Sequence, residues 1–173
     1  MQELENALLA LDDQAVGPLV AIAGQFAQFP GYPDALVALC GHEAKRVQFG
    51  ASWLLRDHLT EGGRLDETGL ANLVAELDTV TDWGAVLHLL QSARHMNLTA
   101  ENADRMARFA QDHARHARPF LRAWALDALV SLSTTSAQTH SAAAAALRAA
   151  HLDPAASVRA RARNLTLPDQ PCE

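Results

Sequence analysis

Apolar residues recur along this chain at the spacing of an α-helix, and the two-residue alternation typical of a strand is not found. Residues that begin or interrupt helices separate the periodic stretches: Gly17-Pro18, 29–33, 62–63, Asp82, Thr99, Pro119 and Asp153-Pro154. The pattern predicts ten helices joined by short connections, at 2–11, 17–28, 33–40, 43–59, 67–78, 82–96, 100–115, 118–133, 138–150 and 154–166.

A motif of a large, a small and a large apolar residue, one helical turn apart, recurs in alternate helices. It starts at Val47, at Leu121 and, with its last residue one place early, at Val158, so successive starts are 74 and 37 residues apart. A period in the high thirties is typical of a helical repeat array. The copy expected between the first two is degenerate, because Val86 and Leu90 lie two places late. The small middle residue lets helix backbones approach, and the large ones fill the layer between neighbouring repeats.

The last copy, DPAASVRARARN from residue 153, resembles a HEAT repeat, whose second helix opens with Asp-Pro-x-x-x-Val-Arg-x-x-Ala. The resemblance covers about residues 33–166. It implies an all-α, right-handed α-α superhelix of about four helix pairs, with 1–28 as an N-terminal capping pair or a diverged repeat. It also implies a ladder of hydrogen bonds that involves Arg122, Asp153 and Arg159. We therefore expect one HEAT-like domain over 1–166 and a disordered tail at 167–173.

Charge is distributed unevenly along the 173 residues. Residues 1–104 carry 5 basic and 15 acidic side chains, a balance of −10, whereas residues 105–173 carry 9 and 5, a balance of +4. This asymmetry suits an electrostatically oriented partner, or alternatively reflects solvated surface and structural arginines. The overall charge of −6 does not favour nucleic acid as a partner. No segment is apolar enough to span a membrane, and the acidic start MQELENALLALDD lacks the features of a signal peptide, so a cytoplasmic location is expected.

The cysteines and histidines do not form a recognisable metal-binding pattern. Cys40 and Cys172 are far apart and no Cys-x-x-Cys occurs. Of the possible metal ligands Asp112, His113 and His116, the two histidines could share a helix face, but no other cysteine or carboxylate cluster supplies further ligands at a recognisable spacing. His116 and His42 instead fall at the repeat position of Asp153, which suggests capping or ladder residues. We predict no metal and no cofactor.

The remaining polar residues suggest a binding surface. Arg122 aligns with Arg159, so both are assigned to the ladder. Four other arginines have no structural role in the repeat and form a possible basic rim: Arg115, Arg118, Arg161 and Arg163.

Second helices line the concave face of HEAT arrays, and helices 43–59, 82–96 and 118–133 would therefore line a groove. Phe49 and Trp53 would be its apolar anchors, unless a neighbouring helix covers both. Trp83 and Trp124 are assigned to packing. The polar selectors of the groove would be Arg56, His88, Gln91, His95 and Asp127.

One enzyme-like similarity is incomplete. The segment TDWGAVL at 81–87 is similar to the tryptophan-bearing segment of HEAT-like alkylpurine DNA glycosylases, but Leu87 stands where that group has its catalytic Asp. We therefore predict a non-catalytic scaffold that binds a protein or peptide in its groove, as a monomer or weak homodimer. The alternative is a nucleic-acid-binding relative of those glycosylases, and a third hypothesis is a domain that chiefly dimerises.

Overall fold

A computed structural model describes residues 2–11 and 16–169, and within these ranges it contains helices and no strands. The chain divides into two compact units, Met1–Ser92 and Ala93–Glu173, which are described separately. Unit 1 contains six α-helices: α1 (Gln2–Leu9), α2 (Val16–Phe26), α3 (Tyr32–Cys40), α4 (Lys45–Thr60), α5 (Glu67–Glu76) and α6 (Trp83–Ser92). Unit 2 contains four: α7 (Ala100–His113), α8 (Pro119–Leu132), α9 (Ala137–His151) and α10 (Ala156–Arg163).

All ten predicted helices are present, with small shifts at their ends. The helices predicted at 67–78 and 82–96 each end in a short 3-10 turn, at Leu77–Thr79 and Ala93–His95. The predicted tail begins in irregular structure at 167–169, and its residues 170–173 lie outside the described part of the chain. No described helix has both the length and the apolar character needed to cross a membrane.

Polar residues cap several helix starts. Asp66 and Thr99 accept hydrogen bonds from backbone N–H groups in the first turn of α5 and α7, and Ser136 forms a reciprocal capping box with Thr139 at the start of α9. Asp82 accepts a hydrogen bond from the N–H of Ala85 at 2.9 Å. These bonds satisfy backbone donors that a helix leaves unpaired, which is why helices begin where the sequence places Asp, Ser and Thr.

In unit 1, α4 is the central helix and contacts α1, α2, α3 and α6. Its motif residues Val47, Ala51 and Leu55 are completely buried. Ala51 has the small side chain that close packing around α4 requires.

In unit 2, α8 is the corresponding centre, and it contacts α7, α9, α10 and the turn Ala93–His95. Its motif residues Leu121, Ala125 and Leu129 are buried, as are Val158 and Ala162 of α10. In each unit, the first helices of consecutive helix pairs also contact each other: α3 contacts α5, and α7 contacts α9. The right-handed superhelix and the single domain over 1–166 remain predictions.

Three loops repeat one hydrogen bond just before a second helix. His42, His116 and Asp153 each accept a hydrogen bond from the backbone N–H two residues further on, at 2.9, 3.0 and 2.8 Å. The acceptor of each histidine is Nδ1. The two histidines therefore cap the loop in the same way as Asp153, as their shared repeat position predicts.

The residue six places after each cap binds the same loop from the helix. Gln48, Arg122 and Arg159 donate to the carbonyl oxygen six residues earlier, at 2.9, 2.8 and 2.6 Å. Gln48 also donates to the carbonyl of Thr79, and Arg122 holds both carboxylate oxygens of Asp153 at 2.8 Å, in each case 31 residues further on. Equivalent repeat positions thus join consecutive helix pairs within each unit.

Candidate partner-binding site

Phe49 and Trp53, the predicted apolar anchors, are both buried, each with 7 % of its surface exposed. The ring of Phe49 lies 5.0 Å from the ring of His88, and a Cβ atom at Gly84 would come within 2.6 Å of it. Of the two alternatives for these side chains, the structure shows the buried one. The apolar stripe of α4 is therefore wide enough to include both side chains. Their burial is favourable because large aromatic side chains gain most by leaving water.

His88 was expected to face a groove, but it is buried. Its Nδ1 lies 3.0 Å from the hydroxyl of Ser52, and that hydroxyl also donates to the carbonyl of Phe49. Burial, together with the smaller effect of the positive charge of Arg56, lowers the pKa of His88 to about 3. The imidazole is therefore neutral and belongs to the core of unit 1.

The other predicted selectors of unit 1 bind each other. Arg56 donates to the side-chain oxygen of Gln91 at 3.1 Å, and its guanidinium lies 5.3 Å from the ring centre of Trp53. Burial lowers the pKa of Arg56. His95, by contrast, is exposed in the 3-10 turn that begins unit 2.

Unit 2 contains a charged cluster built on α8. The carboxylate of Asp127 is buried, with 2 % of its side chain exposed, and it forms ion pairs with Arg94 and Arg161. Arg94 comes from the turn before α7 and Arg161 from α10. Both elements contact α8, so three separate segments meet at one carboxylate. We call Arg94, Trp124, Asp127 and Arg161 the arginine clamp.

The arginine clamp presents cationic groups to solvent in fixed positions. The guanidinium of Arg161 lies 4.2 Å from the ring centre of Trp124, which is half-buried. The side chains of Arg94 and Arg161 are 43 % and 31 % exposed. A guanidinium has five N–H donors, so both arginines keep donors beyond those directed at Asp127. Two cations and one anion leave one positive charge, which matches a single carboxylate on a ligand.

Sequence reasoning named Trp124, Asp127 and Arg161 of this cluster but did not connect them. Asp127 was assigned to a groove and Arg161 to a rim, whereas the structure pairs the two. Arg94 was not identified at all. The available signal was an arginine at the end of a second helix with no aligned counterpart in the other repeats.

The other arginines of the predicted rim, Arg115, Arg118 and Arg163, are exposed.

The histidines considered for metal binding interact with their neighbours. The Nδ1 of His113 is hydrogen-bonded to the carbonyl oxygen of Phe109, and the ring of His113 stacks on that of His116 with the ring centres 6.2 Å apart. Within residues 2–11 and 16–169, no three His, Cys, Asp or Glu side chains are grouped as metal ligands.

No family model, curated protein or solved structure matches this chain. The similarities to HEAT repeats and to alkylpurine glycosylases therefore rest on the residues of the chain. In the glycosylase-like segment, Leu87 is buried, and Trp83 is 39 % exposed. Trp83 stands at the start of α6 and more than half of its surface is covered, so its assignment to packing stays a prediction.

Proposed function

We propose that this chain is a non-catalytic scaffold that binds an acidic segment of a protein partner, and that the arginine clamp is the binding site. The observation that carries the proposal is the buried carboxylate of Asp127, which fixes two partly exposed guanidinium groups side by side. Arginine side chains held in advance lose less conformational freedom on binding than free surface arginines. The clamp would therefore bind a carboxylate more strongly than the exposed arginines elsewhere in unit 2.

The charge of the clamp supports a carboxylate ligand. One net positive charge is neutralised by one Asp or Glu side chain, whereas a phosphorylated side chain, with a charge of about −1.5 to −2, would leave excess negative charge. The planar guanidinium also matches the two oxygens of a carboxylate. Trp124, stacked against Arg161, adds the kind of half-exposed aromatic surface that is frequent at the centre of protein interfaces.

The test compares partner capture by the full chain and two variants. The triple variant Arg94→Gln, Asp127→Asn, Arg161→Gln removes all three charges together, so no buried carboxylate is left without a counter-ion. The matched control is Arg163→Gln, which removes an exposed arginine from the same helix. We expect the triple variant to lose the partner that the wild-type chain and the control retain. Thermal unfolding of each variant checks that the fold is kept.

Two outcomes would contradict the proposal. Equal capture by the triple variant and the wild-type chain would remove the clamp as the site. Retardation of a DNA or RNA duplex in a gel at low salt, lost in the triple variant, would favour the alternative function of nucleic-acid binding, because phosphate contacts weaken steeply as salt rises.

A further inference from the structure

One groove of unit 2 is open at the surface. It has a volume of about 520 Å³ and lies between the end of α7 and the alanines of α9. Leu126, Leu129 and Val158 also line it, but they are buried and offer a partner little surface. The apolar surface that a partner can reach comes mainly from α9, where Ala145 and Ala149 are exposed.

Leu152 stands beside this groove and projects into solvent. It follows the last residue of α9, is 85 % exposed, and precedes Asp153, which lines the groove. The residues just before the caps of the two equivalent loops are Gly41 and Arg115, so the repeat does not require an apolar residue at this position. Leu152 therefore contributes little to the packing of unit 2, and only a partner could remove its side chain from water.

The charges that line the groove have both signs and balance. Arg122 and Asp153 form the ladder ion pair, which leaves Asp112 and Arg115. These two exposed side chains lie about one helical turn apart, and in the described part of the chain neither takes part in an ion pair. A partner of one sign would gain at one of them and lose at the other. The surface therefore favours a partner that presents both signs in the opposite order.

A second copy of the chain presents the two charges in that order. In an interface with two-fold symmetry every contact occurs twice, residue i with residue j and j with i. When two such surfaces meet with their α7 helices antiparallel, Asp112 of each copy faces Arg115 of the other. The same symmetry places Leu152 of each copy against the exposed alanines of the other, whose single methyl groups leave room for a leucine.

We infer that the chain forms a weak homodimer through the groove face, the surface that consists of Asp112, Arg115, Ala145, Ala149 and Leu152. The reciprocal ion pairs set the relative direction of the two copies, and the leucines supply the central apolar contacts. Because the face is small, the dimer belongs to the class of transient complexes, which dissociate on dilution.

The groove face is separate from the arginine clamp. Leu126 lines the groove, whereas the adjacent Asp127 forms ion pairs with Arg94 and Arg161. Dimerisation therefore goes beyond the proposed function and leaves the clamp available to an acidic partner.

The test measures the mass of the full chain by sedimentation over a range of protein concentrations. We expect the wild-type chain to dimerise reversibly and Leu152→Ser to weaken dimerisation by about tenfold, as for a central apolar contact. Arg115→Asp and Asp112→Arg should each weaken it at least as much, because like charges then face each other at both ion pairs. Thermal unfolding of the three variants should match that of the wild type, since the side chains are exposed.

Mixing the two charge variants tests the two-fold pairing directly. Arg115→Asp has two carboxylates at these positions and Asp112→Arg has two guanidinium groups, so a mixed dimer contains two ion pairs again. We expect the mixture to dimerise where each variant alone does not. Arg163→Asp is the matched control: it makes the same change in net charge as Arg115→Asp, at an exposed residue that does not line the groove, and it should dimerise as the wild type does.

Three outcomes would overturn the inference. They are a wild-type chain that stays monomeric at every concentration, a dimer that Leu152→Ser and both charge variants leave unchanged, and a mixture of the charge variants that does not associate. The variant with the neutralised arginine clamp should dimerise as the wild type does, and the charge variants should still bind an acidic partner. Failure of the groove face and failure of the clamp are therefore distinguishable.

Discussion

The two units place polar side chains at equivalent positions of the repeat, but unit 1 uses neutral groups and unit 2 uses charged ones. At the ladder position, Gln48 joins two helix pairs in unit 1, and the Arg122–Asp153 ion pair joins two in unit 2. On the inner side of the second helices, unit 1 buries His88 against Ser52, whereas unit 2 buries Asp127 between two arginines.

This difference determines which unit has hydrogen-bond donors that are not all used inside the protein. The amide of Gln48 donates to two carbonyls and accepts from the N–H groups of Thr81 and Asp82, so its hydrogen-bonding groups are all engaged inside the protein. Arginines have more donors than a single carboxylate accepts, and they therefore keep some for a partner. The composition follows the same division: residues 1–92 contain 4 basic and 13 acidic side chains, and residues 93–173 contain 10 and 7.

The largest change in stability is expected when Trp53 is replaced. This substitution tests whether the aromatic residues Phe49 and Trp53 of unit 1 belong to the core. Replacing Trp53 by alanine should reduce the free energy of unfolding by about 4 kcal/mol, because a buried aromatic ring is removed and a cavity remains. Urea unfolding measures it. Phe120→Ala, at an exposed aromatic residue of unit 2, is the control and should change stability little. A Trp53→Ala protein as stable as the wild type would make Trp53 a surface residue after all.

Next in size is the charged cluster of unit 2. Removing both arginines in Arg94→Ala, Arg161→Ala should cost about 3 kcal/mol, because the buried Asp127 carboxylate loses its counter-ions. Adding Asp127→Asn should recover much of that loss at neutral pH, since no charge is then buried alone. Chemical denaturation of the double and triple variants decides the point. If the third substitution recovers nothing, the arginines stabilise unit 2 through packing instead of charge.

A smaller loss of stability is expected in unit 1 when the pH is lowered. His88 has a pKa of about 3 in the folded chain, well below its ordinary value, so the unfolded chain binds a proton more readily. The contribution of neutral His88 to the free energy of unfolding is therefore fully present above the pKa that His88 has in the unfolded chain. It is lost as the pH falls from there towards 3. At pH 5 the loss should be about 2 kcal/mol. Unfolding at pH 7 and pH 5 measures it, and His88→Gln should remove that part of the pH dependence.

The smallest change in stability is expected for a substitution in the ladder of unit 2. It replaces Arg122 by glutamine, the residue that unit 1 has at the equivalent position 48. Arg122→Gln should cost about 1 kcal/mol, because an amide replaces the two-bond contact with Asp153 but can still reach a carbonyl. The Arg122 guanidinium lowers the pKa of Asp153, and this stabilisation is lost as acid protonates the carboxylate. The variant should therefore lose less stability than the wild type between neutral and acidic pH. An unchanged acid response would mean that the pair contributes little.

Helix positions were largely predictable because each depends on local features. Caps such as Thr99 and Ser136 and the helical spacing of apolar residues determine where a helix begins and which side is buried. The ladder pair Arg122–Asp153 was also anticipated, because the resemblance of the last copy to a HEAT repeat implies it. Gln48 could have been found by aligning the repeats, 74 residues before Arg122.

The candidate site was only partly predictable. The period assigned His88 and Asp127 to an outward-facing surface, yet both are buried. Periodicity identifies one apolar side of a helix, but a second helix in a repeat array is covered on more than one side. Whether a polar residue on the remaining side is exposed depends on which neighbours reach it, and those neighbours are more than thirty residues away in the chain.

By itself, the sequence determined the helices and their approximate boundaries, because spacing, capping and helix-breaking residues act over a few positions. Only the tertiary structure decided that Phe49 and Trp53 are core residues, that His88 is neutral, and that Arg94 and Arg161 meet at Asp127. These outcomes depend on side chains brought together from distant helices, and their burial and charge are properties of that arrangement.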